Sequence, residues 1–244
     1  MMKKLILILT VMSSAISVLA QDRLYIYKND GTVTPYAISM IDSISFTRKA
    51  DVADYVLING VKWATRNLDV GGGFVANPED YGALYQWGRT ADGHESRTST
   101  TSFIANNNYP YDWRSPQNDV LWNAGTETAP VKAPNDPCPA GWRVPTIAEA
   151  AALLATEVAK EWTTQNGVNG YKFTDKTTGN SIFLPAGGYR EFDGVFKEVG
   201  SQGFYYTSST NNYRARSLIF YIELAGFSYF INRAQGLSLR PVVE

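Results

Sequence analysis

Apolar residues recur at helical spacing in one part of the chain. The spacing predicts an amphipathic helix from about Thr146 to Lys160, the only convincing helix of the sequence. Thr146 and Glu149 have the T-x-x-E spacing of a capping box, which predicts the helix start and an N-cap that stabilises it. The apolar stripe consists of Ile147, Ala150, Ala151, Leu154 and Val158.

Most other apolar residues alternate with polar ones, as in half-buried strands. The inward positions of the last strands predict that Leu218, Phe220, Ile222 and Phe230 are core residues. The predicted strands cover 24–27, 33–36, 41–46, 181–185, 203–207, 217–222, 227–232 and 238–242, with a turn at 29–31 in the first hairpin.

The order of segments predicts an exported protein with two folded parts. Residues 1–20 carry two lysines, an apolar run and a small-residue end at Ala20, which is the order of a secretory signal peptide. The pattern predicts a small N-terminal β-unit at residues 21–48 and the main domain at residues 55–244. Because Gln21 is not a cysteine, we expect no lipid anchor, and no membrane insertion after signal cleavage.

One long polar segment, residues 89–137, interrupts the main domain. Loops of such length are usually functional or poorly ordered. Its aromatic residues indicate that it folds onto the body of the domain. They are Phe103, Tyr109, Tyr111, Trp113 and Trp122.

Charge and cysteine content exclude several classes of function. A formal net charge of −1 leaves no basic surface for nucleic acid. The single cysteine, Cys138, cannot form an internal disulfide, and its position between two prolines predicts a residue packed in a turn.

Few residues offer catalytic or metal chemistry. The only histidine, His94, has no nucleophile motif around it, and its polar, glycine-flanked context predicts a solvent-exposed loop residue. No metal or cofactor site is expected. The carboxylates of Glu191, Asp193 and Glu198 leave a glycosidase-like pair open as an alternative to plain loop residues.

Five motifs together resemble one bacterial family. They are the segments 56–68, 81–88, 136–149, 206–210 and 236–240, in that order. In this order they resemble the paralogous surface-protein domain of Fibrobacter and Bacteroidetes. Two positions depart from it: Pro241 stands where a cysteine is frequent, and Thr207 where a tryptophan is usual.

The resemblance implies an α+β fold of the C-type-lectin-like type, related to the formylglycine-generating enzyme. That enzyme binds copper through two cysteines, so Cys138 alone does not carry its activity. In similar domains the C-terminal segment forms an exposed ligand face, which in some relatives is diversified by a retroelement.

The same C-terminal segment has the composition of a recognition surface, because Tyr, Arg, Asn and Ser form adaptable contacts. We therefore expect a non-enzymatic surface module that binds a protein or glycan, with an enzyme on the same scaffold or a fimbrial tip subunit as alternatives. The predicted ligand-binding residues are Tyr189, Arg190, Phe192, Asn211, Asn212, Tyr213, Arg214, Arg216, Tyr229 and Ile231.

Overall fold

A computed structural model of the chain describes residues 23–27, 32–40, 55–99 and 102–244. The chain divides into two units, Met1–Asp51 and Val52–Glu244. In the first unit, β1 (Arg23–Tyr27) and β2 (Val33–Ala37) form an antiparallel pair, followed by a 3-10 turn at Ile38–Met40. The predicted turn at 29–31 and the predicted strand at 41–46 lie outside the described residues.

The second unit consists mainly of antiparallel strands, with a 3-10 turn at Val70–Gly72 and the helix α1 at Ile147–Leu154. Its strands are β3 (Tyr55–Ile58), β4 (Val61–Ala64), β5 (Tyr85–Gln86), β6 (Trp142–Arg143), β7 (Val158–Gln165), β8 (Val168–Asp175), β9 (Ser181–Pro185), β10 (Tyr189–Arg190), β11 (Phe196–Lys197), β12 (Gln202–Asn211), β13 (Arg214–Tyr221), β14 (Leu224–Ile231), β15 (Gly236–Leu237) and β16 (Val242–Val243).

The described strands of this unit form four sheets, and every pairing between them is antiparallel. Two sheets are consecutive meanders, β7-β8-β9 and β12-β13-β14. The other two bring distant parts of the chain together, in the orders β3-β4-β16-β6 and β11-β10-β15-β5. The C-terminal strand β16 thus pairs with both β4 and β6, which joins the end of the unit to its first hairpin.

The predicted α+β, C-type-lectin-like class is wrong. Strands make up 40% of the structure and helix 7%, so the fold is mostly β. The helix begins where the capping box places it, but it ends at Leu154 rather than near Lys160. Val158 instead opens the hairpin of β7 and β8, whose turn residues Asn166 and Gly167 both have positive φ. Asn-Gly is the strongest two-residue hairpin signal, and it outweighs the helical spacing of Val158.

The remaining strand predictions are largely confirmed, with one exception near the C-terminus. Strands lie at or near each predicted segment from 24–27 to 227–232 that falls within the described residues. The predicted strand at 238–242 is wrong, because only Val242 belongs to a strand. Ser238 instead exchanges backbone hydrogen bonds with Phe204 and Tyr206 outside any named strand.

Two groups of buried side chains form the core. One is centred on Trp87, Trp122 and Tyr206, and the other on Trp63 and Phe220. Gly203 is required beneath the Phe220 ring, because a Cβ atom there would lie 2.0 Å from the ring. Close approaches of this kind explain how a chain without disulfides is packed tightly.

The core prediction for the last two strands holds for half of its residues. Leu218 and Phe220 are buried, as predicted. Ile222 and Phe230 are 65% and 76% exposed, so the prediction is wrong for both. Ile222 lies in the two-residue turn between β13 and β14, and Phe230 lies where the register of the β13–β14 pair shifts, so strict alternation fails at both places.

Candidate functional site

Three tyrosines and an arginine form a cluster at the surface, here called the tyrosine face: Tyr109, Tyr111, Tyr213 and Arg214. The Tyr109 and Tyr213 ring centroids are 5.1 Å apart, and those of Tyr111 and Tyr213 are 5.9 Å apart. The Arg214 guanidinium lies 3.8 Å from the Tyr111 centroid and 5.4 Å from that of Tyr213. Tyr109 remains 73% exposed. The cluster is therefore an ordered set of rings with a large open surface.

Two turns present these side chains. Asn211 and Arg214 pair at the end of the β12–β13 hairpin, and Asn212 in its turn has a φ of 52°. On the other side, the Tyr111 amide donates to the Asn108 carbonyl oxygen, and Tyr111 has a φ of 63°. An aromatic residue at positive φ is uncommon, and strained backbone of this kind persists where surrounding contacts impose it.

Arg233 joins these two turns from beneath the surface. Its side chain is fully buried, with the guanidinium 4.5 Å from the Trp87 ring. Its Nη2 atom donates to the Asn212 carbonyl oxygen at 2.8 Å and to Asp119 Oδ1 at 2.5 Å. Its Nη1 atom lies 3.7 Å from Asp112 Oδ2. Arg233 thus holds the hairpin turn and the 112–119 loop in one arrangement.

The two acids near the face, Asp112 and Asp119, contact Arg233, whereas Arg214 has no acidic partner among the described residues. Burial raises the pKa of the Asp112 carboxyl, although Arg233 opposes this increase. Asp119 is also engaged by Arg233. Among the residues that the structure describes, no carboxylate lies within ion-pair distance of Arg214, which contacts the rings of Tyr111 and Tyr213.

The structure brings part of the predicted ligand set to this face. Tyr213 and Arg214 belong to it, with the exposed Asn212 beside them and half-buried Asn211 preceding them. Arg216 is half-buried on β13, and Ile231 is half-buried against the core. Tyr229 lies on β14, but its side chain falls outside the described residues.

The other predicted residues form a separate group around β10. Tyr189 packs on Phe204 with ring centroids 4.7 Å apart, and Phe192 is half-buried. Arg190 is buried, lies 4.1 Å from the Phe103 ring and donates to the carbonyl oxygens of Ser99 and Gly194. Arg190 therefore holds loops together, and within the part of the chain that the structure describes no contact joins it to the tyrosine face.

Sequence reasoning missed three residues of the site. Tyr109 and Tyr111 were predicted only to help residues 89–137 fold onto the body, which is confirmed by the burial of Trp122 and the bond from Trp113 Nε1 to the Trp87 carbonyl oxygen. Arg233 was not among the predicted ligand residues. The available signal was the run Asn106–Asn108 before Tyr109, because polar turn residues beside aromatics are typical of recognition loops.

His94 is buried, so the prediction of a solvent-exposed loop residue is wrong. Its Nε2 atom accepts from the Gln86 amide at 2.9 Å, which places the proton on Nδ1 beside Asp92 Oδ1 at 2.7 Å. Burial lowers the pKa of His94, and the positive charge of Arg89 adds to this effect. The histidine is therefore a neutral cross-link between β5 and the following loop.

Asp92, His94 and Glu95 have ligand atoms within 4.8 Å of one another, which is metal-site spacing. Every one of them already has a protein partner. The two carboxylate oxygens of Glu95 accept from the amides of Gly71 and Gly93. This group stabilises the loop through internal hydrogen bonds.

Other candidate reactive groups are engaged in the fold. Cys138 is buried, as predicted, and burial raises its pKa well above the usual value. Asp193 accepts from the Val195 amide and Glu198 from the Ser201 hydroxyl, both within local turns, whereas Glu191 accepts from Gln235 Nε2 in a distant part of the chain.

Comparison with known proteins found no match: no family model, no curated protein and no solved structure matches the chain. Within the described parts of the chain, no helix has the length and apolar character needed to cross a membrane.

Proposed function

We propose that this protein is an exported recognition module that binds a protein or glycan ligand through the tyrosine face. The observation that carries the proposal is the Tyr109 ring, which is held against Tyr111 and Tyr213 yet stays 73% exposed. A large apolar ring fixed in an open position offers contact area to a partner at little cost in side-chain entropy.

The chemistry around the rings supports binding. Arg214 has hydrogen-bond donors available beside the rings, and the exposed Asn107, Asn108 and Asn212 supply adaptable amides. Arg233 fixes both turns beneath the face, so little ordering has to accompany binding. The candidate catalytic groups His94 and Cys138 are buried and engaged elsewhere, which favours recognition over catalysis.

The signal-peptide pattern of residues 1–20 supports the export part of the proposal. The resemblance to bacterial surface-protein domains agrees with this location. N-terminal sequencing of the secreted protein tests it: the expected first residue is Gln21, whereas an intact Met1 would contradict export by this route.

A binding screen tests the function. The mature protein is applied to an array of host glycans and bacterial surface proteins, together with a Tyr109→Ala/Tyr213→Ala variant. Aromatic anchors commonly contribute more than about 1 kcal/mol each to an interface, so the variant is expected to lose at least about tenfold in affinity.

The chain provides a matched control in Tyr55, which is 49% exposed and has Lys62 Nζ 5.1 Å from its ring. Tyr55→Ala removes an exposed tyrosine on β3 that also lies beside a cation, Lys62 on β4. This variant should leave binding unchanged. Equal loss in both variants, or unchanged binding by the face variant, would overturn the assignment of the face.

A further inference from the structure

The Arg214 guanidinium is arranged for an anion. Its Cζ atom lies 3.8 Å from the centroid of the Tyr111 ring, and a guanidinium that stacks on an aromatic ring uses its face for that contact. A ring contact of this kind leaves the N–H groups at the edge of the guanidinium for a polar partner, and that edge matches the two oxygens of a carboxylate. Among the described residues, no side chain forms a hydrogen bond or an ion pair with them.

The neighbouring acids do not supply that anion. Asp112 is buried and Asp119 is exposed, and both face Arg233 rather than Arg214. Arg114 adds another positive charge in the same loop, with its Nη1 atom buried and without a hydrogen-bond partner. Arg114 therefore adds positive charge near the face, while Arg214 is the residue of the face that offers its donors to a ligand.

The rest of the face has the features of a sugar site. Tyr109 offers an open ring against which a sugar can lie, and Asn107, Asn108 and Asn212 are exposed amides that can bond hydroxyl groups. A protein ligand typically binds by placing side-chain anchors in pockets of its partner. One cavity of the described residues, of about 170 Å³, is lined by Thr65, Gln165 and Lys172 among others, and by no residue of the face.

We propose that the tyrosine face binds a glycan that bears a carboxylate, with the sugar ring on Tyr109 and the carboxylate on Arg214. This inference rests on the proposed recognition function and deepens it by naming the ligand class. Arg214 then determines specificity for the acidic sugar, while Tyr109 contributes to binding of any sugar of similar shape.

The test uses probes that differ only at the carboxylate. Oligogalacturonides and hyaluronan oligosaccharides are titrated beside their methyl-esterified forms, in which the same sugars carry no charge, and a glutamate oligopeptide represents acidic peptides. The expected result is that at least one acid form binds at least about tenfold more tightly than its ester, because a charged hydrogen-bonded pair is stronger than a neutral contact.

Variants at Arg214 and Tyr109 test the carboxylate contact and the sugar contact separately. Arg214→Gln should abolish the preference for acid over ester, Arg214→Lys should restore only part of it, and Tyr109→Ala should weaken both forms. Lys172→Gln is the control, because it removes one positive charge from an exposed position at the cavity. Melting curves establish that each variant is folded.

Each outcome has a defined meaning. If the acid and ester forms bind equally and Tyr109→Ala weakens both, the carboxylate inference fails and the recognition function stands. Preference for the glutamate peptide also overturns the inference in favour of a protein ligand. If no carboxylated probe binds, or if Lys172→Gln has the same effect as Arg214→Gln, the inference is wrong at this face.

Discussion

Two parts of the molecule carry several polar side chains, and the two parts differ in the partners of those side chains. In the segment 136–149, here called the capped segment, Asp136 accepts from the amides of Cys138 and Val144. Glu149 accepts from the Thr146 amide and from Arg143. At the tyrosine face, Arg214 contacts two tyrosine rings, while the side-chain N–H groups of Arg214 have no acceptor among the described residues.

The difference separates structural polar groups from candidate binding groups. Buried polar atoms that are fully hydrogen-bonded stabilise a fold, since each one left unpaired costs about 1–3 kcal/mol. Arg214 lies at a half-exposed position, so solvent can satisfy its donors until a ligand replaces the water. Arg233 connects the face to the core, so a change at this residue should have the largest effect on the face.

Arg233→Leu is expected to produce the largest change. It leaves Asp112 buried without its cation, and breaking a buried pair in this way costs about 3–5 kcal/mol of unfolding free energy. Chemical denaturation measures the loss. Adding Asp112→Asn to this variant should recover part of it, because the remaining buried group is then uncharged; no recovery would show that the pair does not determine the cost.

Thr146→Ala tests the capped segment with a smaller effect. The Thr146 hydroxyl accepts from the Glu149 amide, and loss of such an N-cap costs about 1 kcal/mol. Thr156→Ala removes an exposed threonine hydroxyl just beyond the helix and should stay within about 0.5 kcal/mol. Ligand binding should be unchanged in both variants. Reduced binding by a folded Thr146→Ala protein would contradict the division between the two regions.

These two regions were not equally predictable from sequence. The capping box is a local signal between residues three apart, so Thr146 and Glu149 could be identified directly. The tyrosine face joins Tyr111 with Tyr213, about a hundred positions away along the chain, through contacts that only the folded sheets create. Sequence composition found the hairpin part of the face and missed the loop part.

The fold shows the same limit. Alternation and turn residues located most strands because both act over a few positions. The predicted end of α1 failed because helical spacing at Val158 competed with the Asn166–Gly167 hairpin, and tertiary pairing with β8 decided the outcome. His94 was misplaced for a similar reason, since its burial depends on pairing with the Gln86 amide.

A pH titration examines a buried group that lies outside both regions. Burial lowers the pKa of His94, so the unfolded chain binds this proton at higher pH than the folded protein. Unfolding free energy should therefore fall as pH decreases below about 6.5, by no more than about 1.4 kcal/mol per pH unit. His94 is the only histidine, so the difference between wild type and His94→Gln reports its titration together with that of Asp92, whose pKa is lowered, against the effect of burial, by its bonds to Arg89 and His94.

The raised pKa values of Asp112 and Asp136 act in the opposite direction at lower pH, because the folded protein then binds their protons more readily. They are present in both proteins and cancel in the comparison. Identical pH slopes for wild type and His94→Gln would contradict the neutral, buried state of the histidine.

The most direct test of the tyrosine face is hydrogen–deuterium exchange with and without the tightest-binding probe from the array. The account predicts that binding slows exchange at residues 106–114 and 211–214, where the two turns present the rings, and leaves the capped segment unchanged. Protection confined to the capped segment, or to the cavity beside Gln165 and Lys172, would contradict the assignment of ligand binding to the tyrosine face.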